Sequence, residues 1–211
     1  MASDLLFVYS EPGPVPEAEF TDWYDNEHVP ARLSVPGFSS VCRFRAADDR
    51  APSWLATYEI APGVLDGPEY KTLAETASAR EKSIMSLATL DRRVYSLLSD
   101  SLAAGYAGGP PAAVLAVSLS VPPSLEADLA AWYADEHIPM LLAVPGWRRV
   151  RRYRLTAGRA PSYLALHDVA SLAVFDEPAY RAAVTTPWRN RIIGSASEQE
   201  RRVFALHKAF G

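Results

Sequence analysis

Apolar and polar positions follow one pattern in the first half of the chain and repeat it in the second. Leu5-Leu-Phe-Val-Tyr9 is a short apolar run that predicts a strand. From about Pro16 to Leu33, bulky residues recur at intervals of three and four, which predicts an amphipathic helix. Residues 40–46 and 53–60 are typical of two strands, and the turn-rich segment between them predicts a hairpin.

The rest of the pattern completes a βαββαβ unit. A second helix is predicted at about residues 68–86 and a last strand at 93–98. The second half repeats both elements, with Pro187 interrupting the helix and a last strand at 202–207. This order is that of the ferredoxin-like unit, in which two helices cover one face of the sheet. The other face needs a partner, and we expect the second copy to supply it.

An internal repeat relates the two halves at an offset of 109 residues (137 − 28). Trp23-Tyr-Asp-Asn-Glu-His28-Val-Pro30 returns as Trp132-Tyr-Ala-Asp-Glu-His137-Ile-Pro139. A period this long exceeds that of solenoid repeats and indicates a duplicated domain. The Gly-, Ala- and Pro-rich segment 100–111 is typical of a linker, so the sequence predicts one unit at 1–99 and another at 112–211.

Charge and composition argue against several kinds of partner. The formal net charge is −4 and the sequence pI is about 5.6, unlike the basic surfaces that bind nucleic acids. Cys42 is the single cysteine, which excludes an internal disulfide and fits a reducing compartment. No apolar run approaches the ~20 residues of a membrane span, and the acidic N-terminus is unlike a signal peptide. We therefore expect a cytoplasmic protein with no nucleic-acid or membrane partner.

The repeated motifs resemble a known family. W-Y-x-x-E-H-x-P, followed by V-P-G-[FW] (residues 35–38 and 144–147) and a hairpin, resembles the EthD-like branch of the dimeric α+β barrel superfamily. The resemblance implies an α+β fold in which two fused ferredoxin-like units form an intramolecular version of that dimer. Relatives in the superfamily include polyketide cyclases, isomerases, monooxygenases and haem proteins. Because one fold hosts many chemistries, the resemblance implies the fold more firmly than the function.

One helical stripe in each half gathers side chains that acid–base chemistry uses. Histidine changes charge near neutral pH, and surrounding aromatic residues exclude water and accept flat apolar ligands. Tyr24 precedes His28 by four residues and is expected on the same helical face, with Trp23 and Glu27 as the adjacent pair. The candidate catalytic residues are His137, His28, His167, Glu136, Glu27, Tyr133 and Tyr24. The candidate substrate-binding residues are Trp132, Trp23, Tyr163, Trp54, Tyr58, Arg189 and Arg191.

A structural interpretation of the same residues stands beside this one. The aromatic residues can simply form the core, the histidines can close the helix before the following proline, and the glutamates can pair with strand arginines. The halves nevertheless differ at one informative position. Strand alternation places Tyr163, Ala165 and His167 on one face, and Tyr58 occupies the position of His167 in the first half. We therefore hypothesise that the second half holds the working pocket.

The leading functional interpretation is a cofactor-independent, metal-free enzyme of lyase, isomerase, cyclase or dehydratase type. It would use histidine acid–base chemistry on a hydrophobic, aromatic or polyketide-like small molecule. Arg189 or Arg191 would hold a carboxylate or phenolate group of that molecule; the structural alternative is that both arginines are solvated on a helix surface. The chain has no P-loop, no G-x-S-x-G and no H-E-x-x-H motif, and Cys42 has no evident base.

Two alternatives to this interpretation stay open. One is a haem enzyme with His137, His167 or His207 as axial ligand, and the other is a non-catalytic protein that binds a hydrophobic metabolite. Further homodimerisation is an additional expectation.

Overall fold

Eight antiparallel strands form a closed barrel in the part of the chain that the computed structural model describes, residues 3–211. The order around the barrel is β1-β3-β2-β8-β5-β7-β6-β4. The strands are β1 (Asp4–Glu11), β2 (Phe38–Ala46), β3 (Trp54–Ile60), β4 (Thr89–Leu102), β5 (Ala113–Ser120), β6 (Trp147–Ala157), β7 (Tyr163–Val169) and β8 (Glu198–Phe210).

Two strand pairs join the halves of the chain. β2 pairs with β8 and β4 pairs with β6, so the last strand of each half closes against the second strand of the other. β4 is longer than the predicted strand 93–98 because its far end pairs with β6, up to Leu102 opposite Arg149. It thus continues into the first residues of the segment expected to be a linker. The division of the chain at 99 and 112 stays a prediction.

The helices lie between the strands in the predicted order. They are α1 (Glu17–Trp23), α2 (Val29–Leu33), α3 (Pro68–Glu75), α4 (Ala79–Leu87), α5 (Glu126–Trp132), α6 (Ile138–Leu142), α7 (Pro178–Ala183) and α8 (Pro187–Gly194). The single helix predicted at 68–86 is wrong: it breaks into α3 and α4, because the Ser78 side chain accepts a hydrogen bond from the Glu81 backbone N–H and caps a new helix. Within residues 3–211, no helix is long and apolar enough to cross a membrane.

A π-helical turn connects the first two helices of each half, at Tyr24–His28 and at Tyr133–His137. Its defining bond runs from the Val29 backbone N–H to the Tyr24 carbonyl, five residues back. The proline that follows has no N–H to donate to the carbonyl four residues before it, which loosens the helix there. The π-turn is the form that this loosening takes in both halves.

Strand alternation divides the core into three parts. Side chains that point into the barrel come from both halves, such as Phe7 and Tyr95 from the first and Tyr153 and Phe204 from the second. Side chains on the outer sheet faces pack under the helices of their own half. The interior is therefore a packed core common to both halves, and the spaces between helices and sheet are separate candidate sites.

Candidate functional site

A cleft lies between the helices and the sheet of the second half. It encloses about 630 Å³, including its open mouth. Its walls are mainly aromatic and aliphatic, and its polar groups come from two histidines and a few charged side chains. The lining residues that bear on its chemistry are Trp132, Tyr133, His137, Trp147, His167, Tyr180, Arg189 and Arg201.

The π-turn sets the position of His137. Because the turn contains one extra residue, His137, five residues after Trp132, reaches the Trp132 indole. The two rings stack with centroids 4.3 Å apart and an interplanar angle of 22°. The expected pairing of tyrosine with histidine on one α-helical face is therefore incomplete, because the tryptophan is the closer ring. The buried Nδ1 of His137 has no hydrogen-bond partner in residues 3–211.

His137 is a neutral imidazole at physiological pH. Burial lowers its pKa to about 4, and the positive charge of Arg189 acts in the same direction. A neutral histidine can accept a proton, whereas a protonated one cannot. The second-half cleft therefore presents a base, in a wall that excludes water.

His167 lies deeper in the same cleft. It is 1% exposed and meets the edge of Trp147 at 5.3 Å between ring centroids. Burial lowers its pKa well below the ordinary value, and the neighbouring His137 acts in the same direction. The structure thus brings together two of the histidines that the sequence proposed.

The first-half cleft is smaller, about 470 Å³, and its polar groups are paired with one another. The Tyr58 hydroxyl donates a hydrogen bond to the Tyr24 hydroxyl at 2.9 Å. His28 Nδ1 lies 3.3 Å from Glu81 Oε1, and Arg32 Nη1 lies 2.9 Å from the same carboxylate oxygen. Burial lowers the pKa of His28 to about 4. The approach of His28 and the charge of Arg32 lower the pKa of Glu81 to about 2.

Helix capping shows which residue of the second half corresponds to Glu81. Ser78 caps α4 by accepting from the Glu81 N–H, and Thr186 caps α8 by accepting from the Arg189 N–H. Glu81 and Arg189 therefore hold the same position after their caps. Where the first half presents a carboxylate to its histidine, the second presents a guanidinium.

The two candidate glutamates lie outside the clefts. Glu136 accepts hydrogen bonds from Trp132 Nε1 at 3.1 Å and from Thr186 Oγ1 at 2.6 Å, so it ties the π-turn to the start of α8. Glu27 makes an ion pair with Arg80, the residue before Glu81. In these positions both carboxylates orient helices rather than face the cleft.

Several predicted binding residues also lie away from the clefts. Arg191 pairs with Asp128 on the surface, at 3.2 Å. Trp54 packs against the guanidinium of Arg43, and Trp23 is fully buried behind His28. Tyr163 faces the helices as predicted but does not line the cleft.

Sequence reasoning missed three of the eight cleft residues named above. Trp147 and Tyr180 form a stacked pair, with ring centroids 5.5 Å apart, and Arg201 comes from β8. Trp147 could have been found, because it is the variable aromatic of the repeated V-P-G-[FW] motif. Tyr180 and Arg201 reach the cleft through tertiary packing, for which the sequence gives no signal.

Cys42 and potential metal ligands add nothing to these clefts. Burial raises the pKa of Cys42 to about 11, which makes it a poor nucleophile at neutral pH. It lines a separate space of about 900 Å³ at one end of the barrel, beside Arg151 and Asp168. Within residues 3–211, no three His, Cys, Asp or Glu side chains are grouped as a metal site requires.

Comparison with solved structures identifies the class of fold. An anthrone oxidase-like protein matches with a TM-score of 0.68 at 15% identity, over 100% of this chain and 93% of that one. A mutant chlorite dismutase from Candidatus Nitrospira defluvii in complex with cyanide matches with a TM-score of 0.60 at 10% identity, over 98% and 91%. A ferredoxin fold protein from Listeria monocytogenes, related to antibiotic biosynthesis monooxygenases, matches with a TM-score of 0.53 at 9% identity, over 99% and 96%.

These neighbours have the dimeric α+β barrel architecture, built from ferredoxin-like units, and this chain shares it. At such identities the likeness concerns the fold alone. No protein-family model matches the chain, and no curated protein does.

Proposed function

We propose that the chain is a cofactor-independent enzyme that moves a proton on an apolar, aromatic or enolisable small molecule in the second-half cleft. One observation carries this proposal: Arg189 occupies the position that Glu81 has in the first half. Both imidazoles are neutral, but His28 lies against a carboxylate and a second cation, whereas His137 lies beside an arginine in an open cleft.

The chemistry follows from these two side chains. The imidazole of His137 takes a proton from a C–H bond next to, or conjugated through an aromatic ring with, a carbonyl group. The electron pair of that bond forms a carbon–carbon π bond, and the π pair of the carbonyl group moves onto its oxygen. Arg189 stabilises the oxyanion that develops. The imidazolium then returns its proton to another carbon or to a departing hydroxyl group, which gives an isomerase or a dehydratase respectively.

His167 and Tyr133 complete the polar surface of the proposed site. Their counterparts Tyr58 and Tyr24 are joined by a hydrogen bond, whereas no hydrogen bond joins His167 to Tyr133. These two side chains are thus available to hydrogen-bond a ligand. We propose that they position the substrate and that Trp132, Trp147 and Tyr180 hold its flat apolar part.

A tricyclic aromatic ketone of the anthrone type suits these walls. Its methylene C–H bonds are flanked by aromatic rings, and loss of one proton places charge on its carbonyl oxygen. The fold shared with an anthrone oxidase-like protein makes anthrone a natural first compound to test. We further propose that the chain is a fused pair of EthD-like units whose first half has become a scaffold.

Isotope exchange tests the proposed function. Anthrone is incubated with the protein in D₂O, and the loss of its methylene signal is followed by NMR. We expect catalysed exchange with the wild type and with His28→Gln, and at least about a tenfold loss with His137→Gln, since a positioned base contributes 10²–10⁴-fold. Equal rates with and without protein, for anthrone and for a panel of other enolisable aromatic ketones, would contradict the proposal.

A haem enzyme is the second candidate. The donor chemistry fits, because burial keeps His137 as a neutral imidazole, the form that ligates iron. Arg189 and Arg201 line the same cleft and could pair with haem carboxylates. A Soret band that appears on haem addition and is lost in His137→Gln would favour this candidate. The non-catalytic alternative predicts tight binding of an aromatic ketone without isotope exchange.

A further inference from the structure

Arg152 of the second half is buried without a carboxylate. It lies on β6, is 8% exposed, and its guanidinium carbon is 4.2 Å from the centroid of the Tyr133 ring. Burial lowers its pKa, and the groups that oppose this shift are the side chains of Tyr133 and Tyr163. In the described chain from residue 3 onward, no acidic side chain forms an ion pair with it. A buried cation without a counter-charge is unusual in proteins.

The matching arginine of the first half, Arg43, has a carboxylate as its counter-charge. It is 1% exposed and forms an ion pair with Asp25. The Asp25 carboxylate also lies 3.0 Å from His207 Nε2 and 3.7 Å from Lys208 Nζ. Arg43 lies over the Tyr24 ring at 4.1 Å, just as Arg152 lies over Tyr133. The arginine and its tyrosine are therefore common to both halves.

The second half keeps the arginine and loses the carboxylate. At the offset of 109 residues, Ala134 stands where Asp25 is, and its side chain is exposed. Ser99 lies opposite Arg152 in the β4–β6 pair, as Lys208 lies opposite Arg43 in the β2–β8 pair. The buried Ser99 hydroxyl has no hydrogen-bond partner within the described residues. Arg152 and Ser99 are thus paired across two neighbouring strands at the position where the first half has its carboxylate.

We propose that Arg152 and Ser99, beside Ala134, form a binding site for the carboxylate of a small molecule. The ligand carboxylate takes the place of the Asp25 carboxylate: Arg152 supplies the charge, Ser99 donates a hydrogen bond, and the short side chain of Ala134 leaves the entrance open. Arginine suits this role because its planar guanidinium matches the geometry of a carboxylate.

This site is distinct from the second-half cleft and does not depend on the proposed catalytic chemistry. Arg152, Ser99 and Ala134 do not line the cleft. Tyr133 is shared, because it lines the cleft and its ring also contacts the Arg152 guanidinium. A carboxylate bound at Arg152 therefore lies beside a wall of the cleft without occupying it.

Titration with acetate and benzoate, against chloride at the same ionic strength, tests the site. Amide and arginine side-chain NMR signals of the full chain are followed. We expect saturable shifts centred on Arg152 and Ser99. Ala134→Asp installs the carboxylate of the first half at an exposed position, so it should fold and should weaken binding by at least about tenfold, equivalent to about 1.4 kcal/mol. Arg152→Gln should have the same effect on binding.

Arg154→Gln is the matched control, because Arg154 lies on the same strand, is largely exposed and already faces Glu126 at 3.7 Å. It should leave carboxylate binding unchanged. Shifts that do not saturate, or binding that survives both Ala134→Asp and Arg152→Gln, would overturn the proposal and show that Arg152 is only solvated. The wild type and Ala134→Asp differ in this assay whether or not the chain catalyses isotope exchange, so the two proposals fail separately.

Discussion

Glu81 and Arg189 hold the same position after the caps of matched helices, and they present opposite charges to matched histidines. The π-turns have the same geometry in both halves. The two histidines have similar pKa values, both about 4, but the charged group beside His28 includes a carboxylate and the one beside His137 is a guanidinium. This difference separates the two clefts chemically, although their folds correspond.

Exchanging the charge at Arg189 should change the basicity of His137. In Arg189→Glu, a carboxylate replaces the cation that helps to keep the His137 pKa near 4, so that pKa should rise. NMR titration of the imidazole carbon-bound protons measures it directly. Arg191→Glu is the control, because Arg191 pairs with Asp128 on the surface and should leave the His137 pKa unchanged. Equal His137 titration curves in the wild type and Arg189→Glu would contradict this account.

Acid should destabilise the protein through its buried histidines. The pKa values of His28 and His137 fall from 6.5 to about 4 on folding, so between these pH values the unfolded state binds more protons than the folded state. The destabilisation is absent above pH 6.5, grows as the pH falls, and is complete below about pH 4. Each histidine should contribute on the order of 3 kcal/mol at the acid limit.

Urea denaturation between pH 4 and pH 8 measures this effect. Carboxylates also destabilise the folded state in acid, so the histidine contribution is isolated by comparison with His137→Gln. That variant should lose less stability between pH 7 and pH 5 than the wild type does. Parallel curves for the two proteins would show that His137 is not a depressed, buried base.

The indole nitrogens of Trp23 and Trp132 should contribute differently to the free energy of unfolding. Trp132 Nε1 donates to Glu136, whereas the buried Trp23 Nε1 has no hydrogen-bond partner within residues 3–211. Replacing either with phenylalanine removes similar apolar surface, but only Trp132→Phe breaks a hydrogen bond to a charged group. We expect Trp132→Phe to lower the free energy of unfolding by about 2 kcal/mol more than Trp23→Phe does. Urea denaturation of both variants at pH 7 tests this, and equal losses would contradict it.

Asp25 should be essential to the stability of the first half. Asp25→Ala leaves the fully buried Arg43 without its counter-charge, and breaking such a pair typically costs about 3–5 kcal/mol. Glu17→Ala breaks the exposed pair with Arg45 and should cost less than about 1 kcal/mol. Thermal and urea denaturation compare the two variants. If Asp25→Ala were as mild as Glu17→Ala, the Arg43 site would not need its carboxylate, and the contrast with Arg152 would lose its basis.

Much of the fold could be predicted from the sequence because the repeat and the alternation of apolar residues are explicit in it. Side chains along a strand alternate between its two faces, which predicts that Tyr163, Ala165 and His167 share one face. Their packing under the helices confirms this prediction. The π-turn could be expected only as a loosening before proline. Hydrophobic spacing does not show that an inserted residue moves a histidine onto the tryptophan five residues earlier.

The candidate site could be predicted less completely, for a physical reason. Glu81 and Arg189 do not align at the offset of 109, because the segments before them differ in length; their capping hydrogen bonds establish the correspondence. The outward positions of Glu27 and Glu136 depend on partners distant in sequence, Arg80 and Thr186. Side-chain partners of this kind follow from tertiary packing.

The most direct measurement is to observe which histidine responds to a bound aromatic ketone. The imidazole NMR signals of the full chain are assigned with His28→Gln and His137→Gln and followed as anthrone is added. If the second half holds the working cleft, the signals of His137 and His167 shift and saturate while those of His28 stay in place. Saturable shifts of His28 without any change at His137 would contradict the account.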